Sequence, residues 1–261
     1  MSVNAVVLAG GKNKAEMREM TGVENRALTP LGAQTMLDYV ISALHSAPAV
    51  RQIYVVGAVP PSRQYTLLTG GSTLIENLLT GLQAGTRQGV GESGGEERIL
   101  VSTSDIPFLT AESVDDFVRE GLATGADLCC SYVALDRCLE KYPEMKRTAI
   151  KLREGRFTLG NLMLVNPAPL LAHPEIIEAA YAARKSPIKV ARILGLGLVG
   201  RLLLAQTLFP NALAVSDLEL AVSRLLGSIK AAAILSAYPE IGTDVDKPED
   251  VVIARRLLSG S

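Results

Sequence analysis

Short apolar runs alternate along the chain with stretches whose apolar positions recur every three or four residues, the pattern of strands followed by helices. Val3-Asn-Ala-Val-Val-Leu8 is apolar almost throughout and closes on Ala9-Gly10-Gly11, which predicts a buried parallel strand running into a loop. Gln34 to Leu44 places Met36, Leu37, Val40, Ile41 and Leu44 on one helical face. Ile53-Tyr-Val-Val56 predicts a second strand, closed by Gly57. Ser72 to Ala84 repeats the helical spacing through Leu74, Ile75, Leu78, Leu79 and Leu82, with Ser72 or Thr73 as N-cap. A polar, glycine-rich loop follows over Gly89 to Glu97, then a strand at Arg98 to Ser102, a helix at Thr110 to Leu122 capped by Thr110, and a strand at Asp127 to Val133. A last helix is expected over Val251 to Leu258. No internal repeat interrupts the alternation.

Such an order argues for a mostly parallel sheet covered on both faces, whose ligands bind outside the carboxyl ends of its strands. Two of those ends carry chemistry. Gly10-Gly11 lets the chain turn sharply and bares backbone N–H groups where a phosphate or a nucleobase edge needs close approach. No GxxxxGK[ST] loop occurs. Lys12, Lys14, Arg18 and Arg26 follow as a cationic loop. At the second end, Ser102-Thr-Ser-Asp-Ile-Pro107 projects Asp105 from the sheet edge, where a carboxylate suits Mg²⁺ or an Asx-turn equally. Near the C-terminus, Glu249 and Asp250 belong to a helix's first turn, whereas Asp244 and Asp246 have no such explanation.

Composition narrows the partner. The 261 residues hold 26 Lys+Arg against 27 Asp+Glu, a net charge of −1 that gives no electrostatic footprint for nucleic acid or an anionic membrane. Two isolated histidines argue against a histidine metal site or a Ser-His-Asp triad. Cys129, Cys130 and Cys138 lack CxxC spacing and read as buried thiols in a reduced, cytoplasmic setting. Val190 to Phe209 is Leu-rich but broken by Arg192, Arg201 and three glycines, so a buried helical hairpin is expected there and not a membrane span. Gly195-Leu-Gly-Leu-Val-Gly200 satisfies GxGxxG, with Asp217 about 20 residues on. An NAD(P)-binding oxidoreductase using Gly195, Gly197 and Gly200 is the rival reading. No βαβ context supports it.

Four segments in order, Leu8-Ala-Gly-Gly11, Asn25-Arg-Ala-Leu-Thr-Pro-Leu-Gly32 with Met36-Leu37, Ser104-Asp-Ile-Pro107 and Asp244-Val-Asp-Lys-Pro-Glu-Asp250, resemble those of the MobA-like nucleotidyltransferases. That family includes the molybdenum-cofactor guanylyl- and cytidylyltransferases and is related to sugar-phosphate and methylerythritol-phosphate nucleotidyltransferases. The resemblance covers about residues 1–135 and 235–258, and Gly155 to Leu162 is similar to an acceptor-side Gly-Asn segment in some members. It implies one Rossmann-like nucleotidyltransferase domain over residues 1–261, a mostly parallel sheet with helices on both faces, elaborated by helices at about 170–230. It also implies Mg²⁺-dependent transfer of a nucleoside monophosphate, from CTP or GTP foremost, to a small anionic acceptor with release of pyrophosphate. Leu8, Ala9, Gly10, Gly11, Ser72 and Asp105 would bind the nucleotide; Asp105 with Asp244 or Asp246 would hold Mg²⁺; Arg26, Lys12 and Lys14 would neutralise phosphate charge. Two positions depart from the family pattern: Ala15 stands where an arginine is usual, and Arg26 where a lysine is. They motivate a non-catalytic nucleotide-binding protein as the alternative.

Overall fold

The computed structural model describes residues 2–87, 97–183, 200, 213–227 and 229–259. In chain order its elements begin with β1 (Val3–Leu8), α1 (Ala15–Thr21), β2 (Pro30–Leu31), β3 (Gln34–Thr35), α2 (Met36–Ser46), β4 (Val50–Val56), β5 (Thr66–Leu68) and α3 (Leu74–Arg87). There follow β6 (Ile99–Thr103), α4 (Ala111–Thr124), β7 (Leu128–Ala134), α5 (Leu135–Lys141), β8 (Ile150–Leu152), β9 (Gly155–Val165), α6 (Pro167–Ala172) and α7 (Pro174–Ala183). Beyond them lie α8 (Val215–Leu225), β10 (Ala231–Ser236) and α9 (Pro248–Ser259).

The main sheet has the order β10-β7-β9-β6-β1-β4-β5, with β8 paired to β9. β9 runs antiparallel to both β6 and β7, whereas the β1, β4, β5 and β6 pairings and that of β10 with β7 are parallel. This is the mixed, mostly parallel α/β sheet expected from the alternation, with β9 wedged in reverse between two parallel neighbours. Helices cover both faces, and β1 shows why. Ala5 and Val7 point into one core layer with Leu37, Val40 and Ile41 of α2 and Val114 and Phe117 of α4. Val6 and Leu8 point into the other, with Ile75, Leu78 and Leu82 of α3. A strand covered on both faces must be apolar at both parities, and all six residues of β1 are buried.

Element boundaries move by a few residues for identifiable reasons. Gln34 and Thr35 do not begin α2: they pair with Leu31 and Pro30 in a two-strand hairpin. Thr35 then caps the helix, its hydroxyl accepting from the Asp38 N–H at 3.2 Å while the Asp38 carboxylate accepts from the Thr35 N–H at 2.8 Å. Likewise α3 starts at Leu74, with Thr73 Oγ1 accepting from Glu76 N–H and the Glu76 carboxylate accepting from Ser72 and Thr73. Thr110 caps α4 as expected. Asp250 is structural as expected, its carboxylate accepting from the N–H groups of Asp246 and Lys247 at the start of α9. Cys129 and Cys138 are buried free thiols, and burial pushes the Cys130 thiol up to about 12. Within 170–230 the described elements are helical. The loop expected from Gly89 to Glu97, all but its last residue, and the hairpin and GxGxxG match over Val190 to Phe209, except Gly200, lie outside the described residues. Among the described residues no helix is long and apolar enough to cross a membrane.

Candidate active site at the carboxyl edge of the sheet

Because β1, β4, β5 and β6 are parallel, their last residues deliver Gly10-Gly11, Gly57, Gly70-Gly71 and Ser104-Asp105 to the same edge of the sheet. The main cavity there, about 760 Å³, is lined by Gly10, Gly11, Asn25, Gly57 and Asn77 among others. A second, of about 440 Å³, shares Gly10, Gly11, Gly71 and Asn77 and extends past Leu8, Ser72 and Thr73 to Arg26 and Asp105. The two are continuous through the glycine pair.

The first region is made of backbone and of space left by missing side chains. Gly57 has φ +153°, and a Cβ there would lie 2.5 Å from the Ala9 carbonyl oxygen. Only glycine allows β4 to approach the end of β1 so closely. A Cβ on Gly10 would meet the Asn77 amide nitrogen at 2.5 Å. Two amide side chains hold this loop system together. Asn25 donates to the carbonyls of Ala9 and Ala58 at 3.0 and 2.9 Å and accepts from Ala27 N–H at 2.9 Å. Asn77, 6% exposed, accepts from Gly71 N–H at 2.7 Å. The N–H groups of Gly10 and Gly11 make no hydrogen bond among the described residues, so both remain as donors to a ligand. Ala9 does not: it is fully buried and its N–H donates to Val56 at 2.9 Å. Leu8 lines the smaller cavity, and Ser72 reaches it with its hydroxyl turned onto Glu76 at 3.0 Å.

The second region is made of charge. Arg26 sits in a single 3₁₀ turn capped by Asn25, with its N–H donating to Gly11 at 2.9 Å. Its Nη1 donates to Asp105 Oδ2 at 3.0 Å and to Asp246 Oδ1 at 2.5 Å, joining residues 79 and 220 positions away. Burial opposes the guanidinium charge, but Asp246 and Asp105 outweigh it and hold the Arg26 pKa above its usual value. The two acidic loops are also tied by backbone, Val245 N–H donating to the Asp105 carbonyl at 2.8 Å. Asp244 faces Arg147, whose Nη1 donates to its carboxylate at 3.0 Å and whose Nη2 donates to its carbonyl at 2.7 Å. Burial pushes the Asp244 carboxyl up to about 6; Arg147 pulls it down, and Asp105 and Asp246 push it further up. Asp105 Oδ1 is buried without a partner.

The cationic loop expected after β1 does not act as a unit. Arg26 turns inward to the carboxylates, whereas Lys12 pairs with Glu24 at 3.1 Å with both side chains more than half exposed. Lys14 is the exposed N-cap of α1, and Arg18 is exposed in its last turn. The reason is that α1 buries Met17 against the apolar cluster around α9, which carries its charged face outward. Sequence reasoning does not single out Asn25, Gly57, Asn77 or Arg147 as site residues. Signals exist for two of them, since Asn25 opens one of the family-like segments and Gly57 closes a predicted strand. Among the described residues no three of His, Cys, Asp and Glu converge as a preformed metal group.

The family model for the MobA-like NTP transferase domain matches residues 5–196. The chain belongs to the MobA-like NTP transferase family. As a MobA-like protein it is a nucleotidyltransferase. A hypothetical transferase from Thermus thermophilus is 34% identical over 96% of this chain and 100% of its own, with a TM-score of 0.78. The 2-C-methyl-D-erythritol 4-phosphate cytidylyltransferase of Thermus thermophilus shares the fold at 16% identity and a TM-score of 0.54, over 99% of this chain and 100% of its own. CMP:2-keto-3-deoxy-manno-octonic acid synthetase, solved with CTP, does so at 10% identity and 0.57, over 100% and 99%. No curated protein matches the chain significantly.

Proposed function

We propose that this MobA-like protein transfers a nucleoside monophosphate from CTP or GTP to a small anionic acceptor, with Mg²⁺, and releases pyrophosphate. The observation that carries the reading is the adjacency of two unlike surfaces on one edge, free glycine N–H donors beside the Arg26, Asp105 and Asp246 cluster. The larger cavity suits the nucleoside, and its backbone-rich wall offers donors and acceptors for a base edge. Gly10 and Gly11 N–H groups face the triphosphate, and Arg26 supplies fixed positive charge next to them. Lys12 and Lys14 enter only as mobile charges at the rim. The CTP held by the structurally similar synthetase supports a cytidine triphosphate as donor on this fold.

The chemistry needs no general base on the protein. An ionised acceptor oxygen forms the new bond to the α-phosphorus, the bond to the bridging oxygen breaks, and pyrophosphate leaves with the electron pair. That matches a site without histidine. Asp105 fits a hard cation, because its Oδ1 is buried and unpartnered and Mg²⁺ usually takes one or two carboxylates plus substrate phosphates. Asp246 and Asp244 are the further oxygen donors at hand. Bound there, Mg²⁺ would neutralise charge growing on the phosphate oxygens. Arg26 keeps the two nearest carboxylates together and oriented.

Thermal unfolding measured with each of the four ribonucleoside triphosphates, with and without Mg²⁺, tests the reading. CTP or GTP is expected to raise the midpoint, and only when Mg²⁺ is present. Stabilisation by NAD(P) with none by any triphosphate would overturn it.

A further inference from the structure

The opposite edge of the sheet carries a cavity that takes no part in the site above. It measures about 290 Å³, lies where β4 and β5 begin, beside the last turn of α2, and shares no lining residue with either cavity at the carboxyl edge. β4 runs its full length, Val50–Val56, between this cavity and Gly57. Leu44, Val50 and Ile53 give the cavity apolar surface, and His45, Arg51 and Arg63 give it basic groups. Among the described residues no aspartate or glutamate lines it. In a chain of net charge −1, a cavity whose charged residues are all basic is a local excess that overall composition does not produce.

The donors are held from behind. Arg51 Nε donates to Asn4 Oδ1 at 3.1 Å, and Asn4, 1% exposed, donates in turn to the Gly85 carbonyl at 2.7 Å. This chain of bonds orients the guanidinium and leaves its Nη groups for a ligand. Gln52 Oε1 accepts from the hydroxyl of buried Tyr54 at 3.1 Å, so the Gln52 NH₂ is the end left to donate. Arg63 stands on a loop pinned at its base, where the Tyr65 hydroxyl donates to the Pro60 carbonyl at 2.5 Å and Gln64 N–H donates to Ser62 Oγ at 3.2 Å.

The acids nearest to these groups are already engaged. Glu97 faces Arg51 Nη2 at 3.7 Å, and burial pushes its carboxyl up. Asp38, within electrostatic reach of Tyr65, accepts from the N–H and hydroxyl of Thr35 at the start of α2. Arg63 and His45 have no hydrogen bond or ion pair among the described residues. Glu97 answers one guanidinium, and the other is charge left over.

We propose that this cavity binds a small organic phosphate monoester, its dianion gripped by Arg51 and Arg63 with Gln52 donating a further hydrogen bond, and its organic part laid on Leu44, Val50 and Ile53. Phosphate is favoured over carboxylate because its several oxygens match guanidinium forks bidentately and its second charge engages both arginines. The volume lies at the small end for ligand pockets, which limits the organic part to about one ring. This site is independent of the proposed reaction and needs neither a triphosphate nor Mg²⁺.

Calorimetric titration of the full-length chain with phenyl phosphate, and in parallel with benzoate and phenol, tests the proposal. Phenyl phosphate is expected to bind, benzoate more weakly, and phenol not at all. Arg63→Ala, at an exposed position, should keep the thermal midpoint and weaken phenyl phosphate about tenfold or more, while Arg63→Glu should abolish its binding. Phenyl phosphate seated instead beside Gly11 and Arg26 would be indifferent to both variants, and that result would overturn the proposal. No binding to the wild type would overturn it too, and benzoate binding as tightly as phenyl phosphate would remove the phosphate assignment.

Discussion

The two halves of the candidate site are built by opposite means. The glycine half works by omission: Gly10, Gly11 and Gly57 leave room, Gly10 and Gly11 leave free N–H groups, and neutral amides, Asn25 and Asn77, keep that room open. The carboxylate half works by confinement: Arg26, Asp105, Asp244, Asp246 and Arg147 are packed so that each charge is answered by another at about 3 Å or less. A neutral ligand surface tolerates burial, so the first half can be assembled from one strand end and its neighbours. Buried charge is costly unless paired, so the second half exists only as a network. Open backbone surface and paired charge are thereby separated within one edge.

Substitutions in each half should break it in its own way. The largest effect is expected from Asp105→Ala, with Mg²⁺-dependent pyrophosphate release falling on the order of 10³-fold. The thermal midpoint should stay near wild type, because Arg26 keeps Asp246; unchanged turnover would remove Asp105 from the metal assignment. Gly57→Ala attacks the other half. It forces an alanine to φ +153° with its Cβ 2.5 Å from a backbone oxygen, and should cost about 3 kcal/mol in chemical denaturation. A stable variant would show that the approach of β4 to β1 is looser than the structure has it.

Asp244→Asn sharpens the electrostatic side. A carboxyl raised from 3.8 to about 6 in the folded state binds its proton more tightly there than when unfolded. Its charged form therefore weakens the fold above pH 6, and the penalty vanishes below the unfolded value. Without added Mg²⁺, Asp244→Asn should be more stable than wild type by about 2 kcal/mol at pH 8 and indistinguishable from it near pH 3. A variant less stable at pH 8 would mean that Arg147 outweighs burial. The smallest effects belong to Lys12→Ala and Lys14→Ala. Both side chains are on the surface, Lys12 is spent on Glu24, and nucleotide affinity should change by about threefold or less at physiological salt. A tenfold loss would return the cationic loop to the site.

The strands β1, β4 and β6 and the helices α2, α3 and α4 are legible because their signals are local. A nearly all-apolar run followed by Gly10-Gly11, a helix with period near 3.6, and a cap at Thr110 are each written within about a dozen residues. β9 and β10 escaped the same reading. β9 spans Gly155 and Gly160, which weaken a strand pattern, and it is held by hydrogen bonds to β6 and β7 on either side. β10 is Ala-rich, a composition poor in strand preference; it pairs with β7 and two of its N–H groups are taken by Ser223 and Glu219 of α8. In both cases neighbours distant in sequence supply what local preference lacks.

The sequence by itself determined that an apolar first strand ends in a glycine turn, that Asp105 leaves the third predicted strand at the same edge, and that the chain carries an alternating α/β pattern. Only the tertiary structure decided which cation meets which carboxylate. Arg26 reaches Asp105 and Asp246 across 79 and 220 residues, and Arg147 reaches Asp244 across 97. Spacing along a chain is periodic information about one strand or helix. The partner of a buried charge is instead chosen by packing, because desolvation makes an isolated charge intolerable and only the folded arrangement determines what lies within reach to answer it.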